Sequence, residues 1–161
     1  MNSNLCKYYL NTIRTHRIKY YTSPNELKLM PIKNLYLKKQ DEIDSYVDDI
    51  SYTNIRLINE INSFHKWINR TFNVENLSKK LEKYYELEFE EFLKEIKKKK
   101  VDISKRKTQE LLENEYTESI SIIKPLQKEI QDLKTEINQL VYSLYDLTAE
   151  DILIIENSFK E

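Results

Sequence analysis

The 161-residue sequence contains no glycine at all, where ordinary usage is about 7%. Without glycine, no backbone loop can press its amides against a phosphate, so a Walker-type loop and a dinucleotide-binding fold are excluded. Tight turns that need positive φ must use Asn or Asp, which suits helices and disfavours hairpins. There is one cysteine, Cys6, so no internal disulfide framework exists and a reducing compartment is expected. Two histidines and that cysteine fall short of a closed tetrahedral zinc site unless carboxylates help, and no spacing suggests that they do. Apolar runs stop at four or five residues, too short to span a membrane. The N-terminal MNSNLCKYYLNTIRTHR mixes polar residues through every turn, unlike a signal peptide. The expected location is the cytoplasm.

What is present is 40% hydrophobic and 33% charged residues with a net charge of −1, enough apolar content for a core. The charge is unevenly spread. Residues 1–39 carry eight basic groups against one acid, about +7, which leaves about −8 for the remainder. A basic head on an acidic body is the electrostatic footprint of a localised nucleic-acid face.

Along the chain, residues 3–14 predict a short helix with Leu5, Tyr8, Tyr9 and Ile13 on one side. HRIKYYT (16–22) reads as a strand, and Ser23-Pro24-Asn25-Glu26 as a helix start that Pro31 cuts short. The head, residues 1–37, is thus expected to be a small basic α+β piece, its strand lacking an obvious partner in this chain. Residues 38–161 form the helical support. Ile43, Val47, Ile50, Asn54, Leu57, Ile61, Phe64 and Ile68 make a heptad seam with one polar interruption at Asn54. Leu126, Ile130, Leu133, Ile137, Leu140, Leu144 and Leu147 make a second. The two pack most simply as an antiparallel coiled-coil-like arm, with parallel self-association of each as the competing arrangement. Between them lie two amphipathic helices joined by KKKKVDISKRK (97–107), a solvated turn with Ser104 as a cap and access to a phosphate backbone. Pro125 is expected to kink or restart the last helix, and Thr148 to cap a short C-terminal one.

Catalytic patterns are missing. There is no Pro-Pro-aromatic loop and no glycine turn for a methyl donor. Glu95-Ile96-Lys97 matches a nuclease string but sits in a Glu/Lys-rich run where such triplets recur. Cys6, His16 and His65 have no triad spacing, and His65, beside Trp67, is expected at an interface or surface.

The stretch EINQLVYSLYDLTAEDILIIE (136–156) resembles the closing segment of bifunctional type II restriction–modification enzymes and adenine-specific DNA methyltransferases. Glu136, Ile137, Leu140, Val141, Tyr142, Leu144, Tyr145, Leu147, Thr148, Glu150, Ile152, Ile155 and Glu156 carry the match, with Asn138, Asp146 and Asp151 standing where Asp, Gly and Glu are usual. LSKKLEKYYELEFEEFLKEIKKKKVDIS is similar to the helical segment before those tails. Asn2, Ser3, Leu5, Tyr20, Leu27, Pro31 and Ile32 resemble the end of the family's target-recognition domain.

The resemblance implies a DNA target-recognition segment without its own catalytic centre, beginning partway into that domain as a split or truncated subunit. Its partners would be double-stranded DNA and a methyltransferase or methyltransferase–nuclease polypeptide. S-adenosylmethionine and magnesium would belong to that partner, so no cofactor is expected here. Arg14, Arg17 and Lys19 are the leading DNA-contact candidates, supported by His16, Tyr20, Tyr21, Lys28 and Lys33; Arg suits bidentate guanine contacts and Lys anchors phosphates. Tyr142 and Tyr145 are expected to pack inward with hydroxyls reaching the surface. A competing reading is a coiled-coil scaffold or homodimerisation module with no DNA role.

Overall fold

The computed structural model describes residues 3–13, 28, 29 and 37–159, and among these it is mainly α-helical with no strand. The helices are α1 (Asn4–Ile13), α2 (Leu37–Phe72), α3 (Lys79–Glu82), α4 (Phe89–Lys98), α5 (Arg106–Leu144) and α6 (Ala149–Asn157), with a 3-10 turn at Tyr84–Glu86. The strand expected at 16–22 and the helix start at Ser23 lie outside the described residues. The chain divides into two compact units, one of residues 1–50 with 131–161 and the other of residues 51–130. None of the described helices is long and apolar enough to cross a membrane.

The unit of residues 51–130 is built around rings. Phe64 and Ile68 from α2, Val74, Leu81, Tyr84, Phe92 and Ile96, and Leu112, Tyr116 and Ile123 from α5 form its core. Tyr84 is wholly buried and stacks on Phe64 at 4.0 Å between centroids, while Phe92 stacks on Tyr116 at 5.1 Å. The two long helices run antiparallel here. Thr53 Oγ1 donates to Glu129 Oε1 at 3.0 Å and Ser119 Oγ to Glu60 Oε1 at 2.6 Å, so rising numbers on α2 meet falling numbers on α5.

Three details go beyond the sequence reading. Thr53, beside the α2 seam, is a fully buried polar residue that donates to Glu129 across the pair, while Asn54 on the seam is half-buried. Pro125 neither ends nor restarts a helix: α5 runs through it for 39 residues. Proline deprives the Ser121 carbonyl of its usual donor, but Ser121, Ile122 and Pro125 are all exposed, so water can take its place. His65 is half-buried at the edge of the core. Its Nε2 is buried without a hydrogen-bond partner and its ring meets Tyr84 edge-on at 5.6 Å.

Burial pushes the His65 pKa down, outweighing the nearby Leu81 and Glu82 carbonyls and the Glu82 charge, which favour protonation. As pH falls, the unfolded chain therefore binds a proton before the folded one. The stability tied to neutral His65 is complete above its ordinary pKa of 6.5 and is lost as pH falls toward the depressed folded value. Thermal melts at pH 7.5 and 5.5 should show a drop that shrinks in His65→Leu.

The other unit answers why a charged helix ends on Val141-Tyr142 and restarts at Thr148. Helix α5 closes in a turn in which Leu147 N donates to Tyr142 O at 3.1 Å and Asp146 N to Ser143 O at 3.3 Å, with Asp146 at φ 54°. This is the C-terminal motif that glycine usually serves; Asp takes it because the chain has none. Thr148 then caps α6 through a reciprocal box with Asp151. Tyr142 is buried, and its hydroxyl is not at the surface as expected but donates to Glu156. Burial, then that carboxylate, pushes the phenol pKa up, so it stays a donor. Asn4 Nδ2 reaches both Glu156 oxygens at 3.2 Å, and Asn4 N donates to Asn138 Oδ1 at 2.9 Å, tying α1 onto α5 and α6.

Helix α1 is capped by Ser3, whose Oγ accepts from Cys6 N at 3.3 Å. Its most buried side chains are Cys6 and Leu10, with Leu5, Tyr8 and Tyr9 half-buried at the flank. The face is thus rotated from the one expected, because Asn4 and Cys6 lie toward the neighbouring helices and Tyr9 turns outward to donate to the Leu29 carbonyl at 2.9 Å.

Candidate nucleic-acid interface

Of the residues expected to touch DNA, Arg14, His16, Arg17, Lys19, Tyr20, Tyr21 and Lys33 lie outside the described residues. Lys28 is described and is exposed. The positive surface that can be built side chain by side chain is the α4–α5 junction. Residues 94–107 hold Lys94, Lys97, Lys98, Lys99, Lys100, Lys105, Arg106 and Lys107 against Glu95 and Asp102, a local charge of +6.

The junction is held down from inside. Val101 and Ile103 are half-buried and pack on the aromatic core. Asp102 Oδ1 accepts from Ser104 N at 3.0 Å and Ser104 Oγ at 2.6 Å, forming a side-chain turn. Those hydrogen bonds hold the Asp102 carboxyl below the usual carboxylate range. The Ser104 hydroxyl is therefore engaged with Asp102, and no cap bond from it to α5, the role the sequence suggested, is seen. Gln109 Nε2 donates to Ile103 O at 2.7 Å and fixes the entry to α5. Lys97, Lys98, Lys100, Lys105 and Lys107 are left exposed on this braced segment.

Glu95 supplies the second brace. Its side chain is only 10% exposed. Oε1 accepts from Lys98 Nζ at 2.6 Å and Oε2 from Ser78 Oγ at 3.3 Å, and Ser78 Oγ in turn accepts from Leu81 N, capping α3. The Lys98 hydrogen bond holds the Glu95 carboxyl below the usual range against the pull of desolvation. Glu95 of the Glu-Ile-Lys string is thus a strut between α3 and α4. Among the described residues no group of His, Cys, Asp and Glu is placed to hold a metal ion. Beside the strut, Lys80, Glu91, Lys94, Glu95, Lys97 and Lys98 line an open groove of about 470 Å³.

Lys100 sits at φ 65° just past α4. The left-handed region costs a side-chain-bearing residue about 1–2 kcal/mol, partly offset by the greater entropy a glycine would lose, about 0.5–1 kcal/mol. Lys100→Gly is therefore expected to raise stability by roughly 0.5–1 kcal/mol, or about 1–4 °C in melting temperature, while removing one cation from the junction. Calorimetry and duplex binding on the same sample check both halves.

Chemically, the junction offers point-charge ammonium groups on a fixed backbone, suited to the oxygens of a phosphodiester chain rather than to reading base edges. Sequence reasoning marked 97–107 as a possible phosphate contact but missed Val101, Ile103 and Glu95 as its supports. Val101 and Ile103 alternate with polar residues between the two charge runs, and that alternation was the available signal.

No curated protein matches the chain. No solved structure matches it either. Residues 37–141, from the start of α2 to within four residues of the end of α5, match the family model described as a domain of unknown function (DUF8810). That match takes in well over half of the 161 residues, and the chain belongs to this family.

Proposed function

We propose that this chain is a DNA-binding helical module that lays the α4–α5 junction on the phosphate backbone of a duplex. The single observation that supports the reading is the +6 charge of residues 94–107 on a segment braced by Val101, Ile103, Asp102 and Glu95. Bracing matters because a binding surface that is already ordered loses less entropy on contact.

The setting we propose is a restriction–modification system, with this chain serving target recognition beside a methyltransferase or methyltransferase–nuclease polypeptide. What supports that setting is the likeness of residues 136–156 to the tails of those enzymes, together with the basic residues 1–39. In this reading Arg14, Arg17 and Lys19 approach base edges and phosphates, with His16, Tyr20, Tyr21, Lys28 and Lys33 beside them, and the junction lysines hold the duplex in register.

Selection from a random duplex library separates recognition from simple backbone attraction. Enrichment of a defined motif by the full chain, lost in Arg14→Ala/Arg17→Ala, is the expected result. Binding that enriches no motif, even with the partner polypeptide present, would remove target recognition and leave only the electrostatic contact.

A further inference from the structure

The groove beside the Glu95 strut differs from the rest of the basic surface in being concave. It lies within the 51–130 unit, between α3 and α4, and holds about 470 Å³. Lys80 comes to it from α3, and Glu91, Lys94, Glu95, Lys97 and Lys98 from α4. On α4, Glu91, Lys94, Glu95 and Lys98 keep the three-and-four spacing that puts side chains on one helix face. Lys80, on the other element, is close enough for its charge to help hold the Glu95 carboxyl low.

The strut fixes the groove before anything enters it. Glu95 accepts from Lys98 Nζ at 2.6 Å on its own helix and from Ser78 Oγ at 3.3 Å at the cap of α3. A cleft ordered in advance loses less entropy on binding. Lys80, Lys94 and Lys97 are exposed and make no ion pair with any described residue. With Glu95 matched to Lys98, three ammonium groups stand against Glu91, a net +2.

That charge discriminates among phosphates. An internal phosphate of a DNA strand carries one negative charge and has a sugar on either side. A terminal phosphate monoester carries about −1.5 to −2 at neutral pH and is free on one side, so it suits both the charge and the concavity. We propose that the groove between α3 and α4 holds the terminal phosphate of a DNA strand whose duplex lies on the α4–α5 junction. The two surfaces are continuous, since Lys94, Lys97 and Lys98 belong to both. The inference rests on the DNA reading and adds to it a preference for phosphorylated ends.

Fluorescence anisotropy of the full chain with one duplex bearing hydroxyl ends, 5′-phosphates or 3′-phosphates tests it. At low salt a phosphorylated form should bind roughly tenfold tighter than the hydroxyl form, as three modest exposed ion pairs would give together. Lys80→Ala/Lys94→Ala should bring that ratio to within about twofold of one, with unchanged helical circular dichroism. Lys97→Ala serves as the second variant should the double one not fold. Equal affinity for all three ends would overturn the inference, and so would a ratio that survives in the folded variant. A covalently closed circular duplex, added as competitor, separates this from the DNA reading. A circle that displaces the hydroxyl-ended duplex while all ends bind alike removes the groove and keeps the junction. A preference for phosphorylated ends that the circle cannot compete away removes the junction and keeps the end contact. Inorganic phosphate lacks the junction contacts and should abolish the preference only at millimolar concentration. Half of the preference lost at about 10 µM phosphate or below would assign the groove to a free phosphate compound and overturn the strand end as its ligand.

Discussion

Replacing Tyr84 with alanine is expected to cost about 3–5 kcal/mol, the range for removing a large buried aromatic side chain. Tyr84 is wholly buried and occupies the centre of the ring cluster. It stacks on Phe64 at 4.0 Å, meets Tyr85 and Tyr116 edge-on at 5.7 and 6.3 Å, and leans on Phe92 at 6.4 Å. Its hydroxyl is the head of a relay. Ser119 Oγ has a single proton and gives it to Glu60 Oε1, so at 2.6 Å it must accept from Tyr84. Burial pushes the Tyr84 pKa well up, which keeps the phenol a donor near neutral pH.

The substitution therefore opens a cavity and strips the relay together. With total stability of a domain in the region of 5–15 kcal/mol, most of the 51–130 unit's stability would go. Tyr84→Phe keeps the ring and should cost only about 1 kcal/mol, the net worth of one hydrogen bond. Ser119→Ala should cost more, about 2–3 kcal/mol, since it leaves the buried phenol and the Glu60 carboxylate without their partner. Urea unfolding of the three variants gives the order Tyr84→Ala, then Ser119→Ala, then Tyr84→Phe. Equal losses for the first and last would show that the relay, not the ring, holds the unit.

The second large effect concerns binding. Reversing Lys97, Lys100, Lys105 and Lys107 to glutamate should lower duplex affinity by on the order of a hundredfold or more at low salt. All four side chains are exposed and none is an anchor of the junction, so the fold is expected to stand. Lys98 is left alone because it is the partner of Glu95. Circular dichroism and melting of the quadruple variant separate lost binding from lost structure. Wild-type affinity in a folded variant would place the DNA contact elsewhere.

Much of the helical frame was legible from residue spacing, and the places where it was misread have physical causes. The second seam is longer than its first reading. Leu112, Tyr116, Ser119 and Ile123 precede Leu126 at the same alternation of four and three, and all are buried. Pro125 hid this continuity, because proline is ordinarily a helix boundary and only the exposure of its turn shows that the freed carbonyl can be hydrated. Thr148 with Asp151, and Asp146 in a glycine-like turn, were readable because caps and turns are local chemistry.

The supports of the candidate interface were not readable, because they are contacts across the chain. Glu95 reaches Ser78 seventeen residues back, and no pattern within α4 announces that. Nor does spacing single out Thr53 as a buried polar residue; its acceptor, Glu129, is 76 residues away.

The proposed contact is that of the α4–α5 junction with duplex phosphates. Fluorescence anisotropy of a labelled duplex, titrated with the full chain at several potassium chloride concentrations, tests it most directly when the wild type and the quadruple lysine reversal are run side by side. Four lysines on four phosphates contribute about −3.6 to the slope of log affinity against log salt. The wild type is expected to have a slope at least that steep, and the variant one shallower by about that amount. Parallel slopes for the two proteins, or no wild-type binding even at about 50 mM salt, would contradict it.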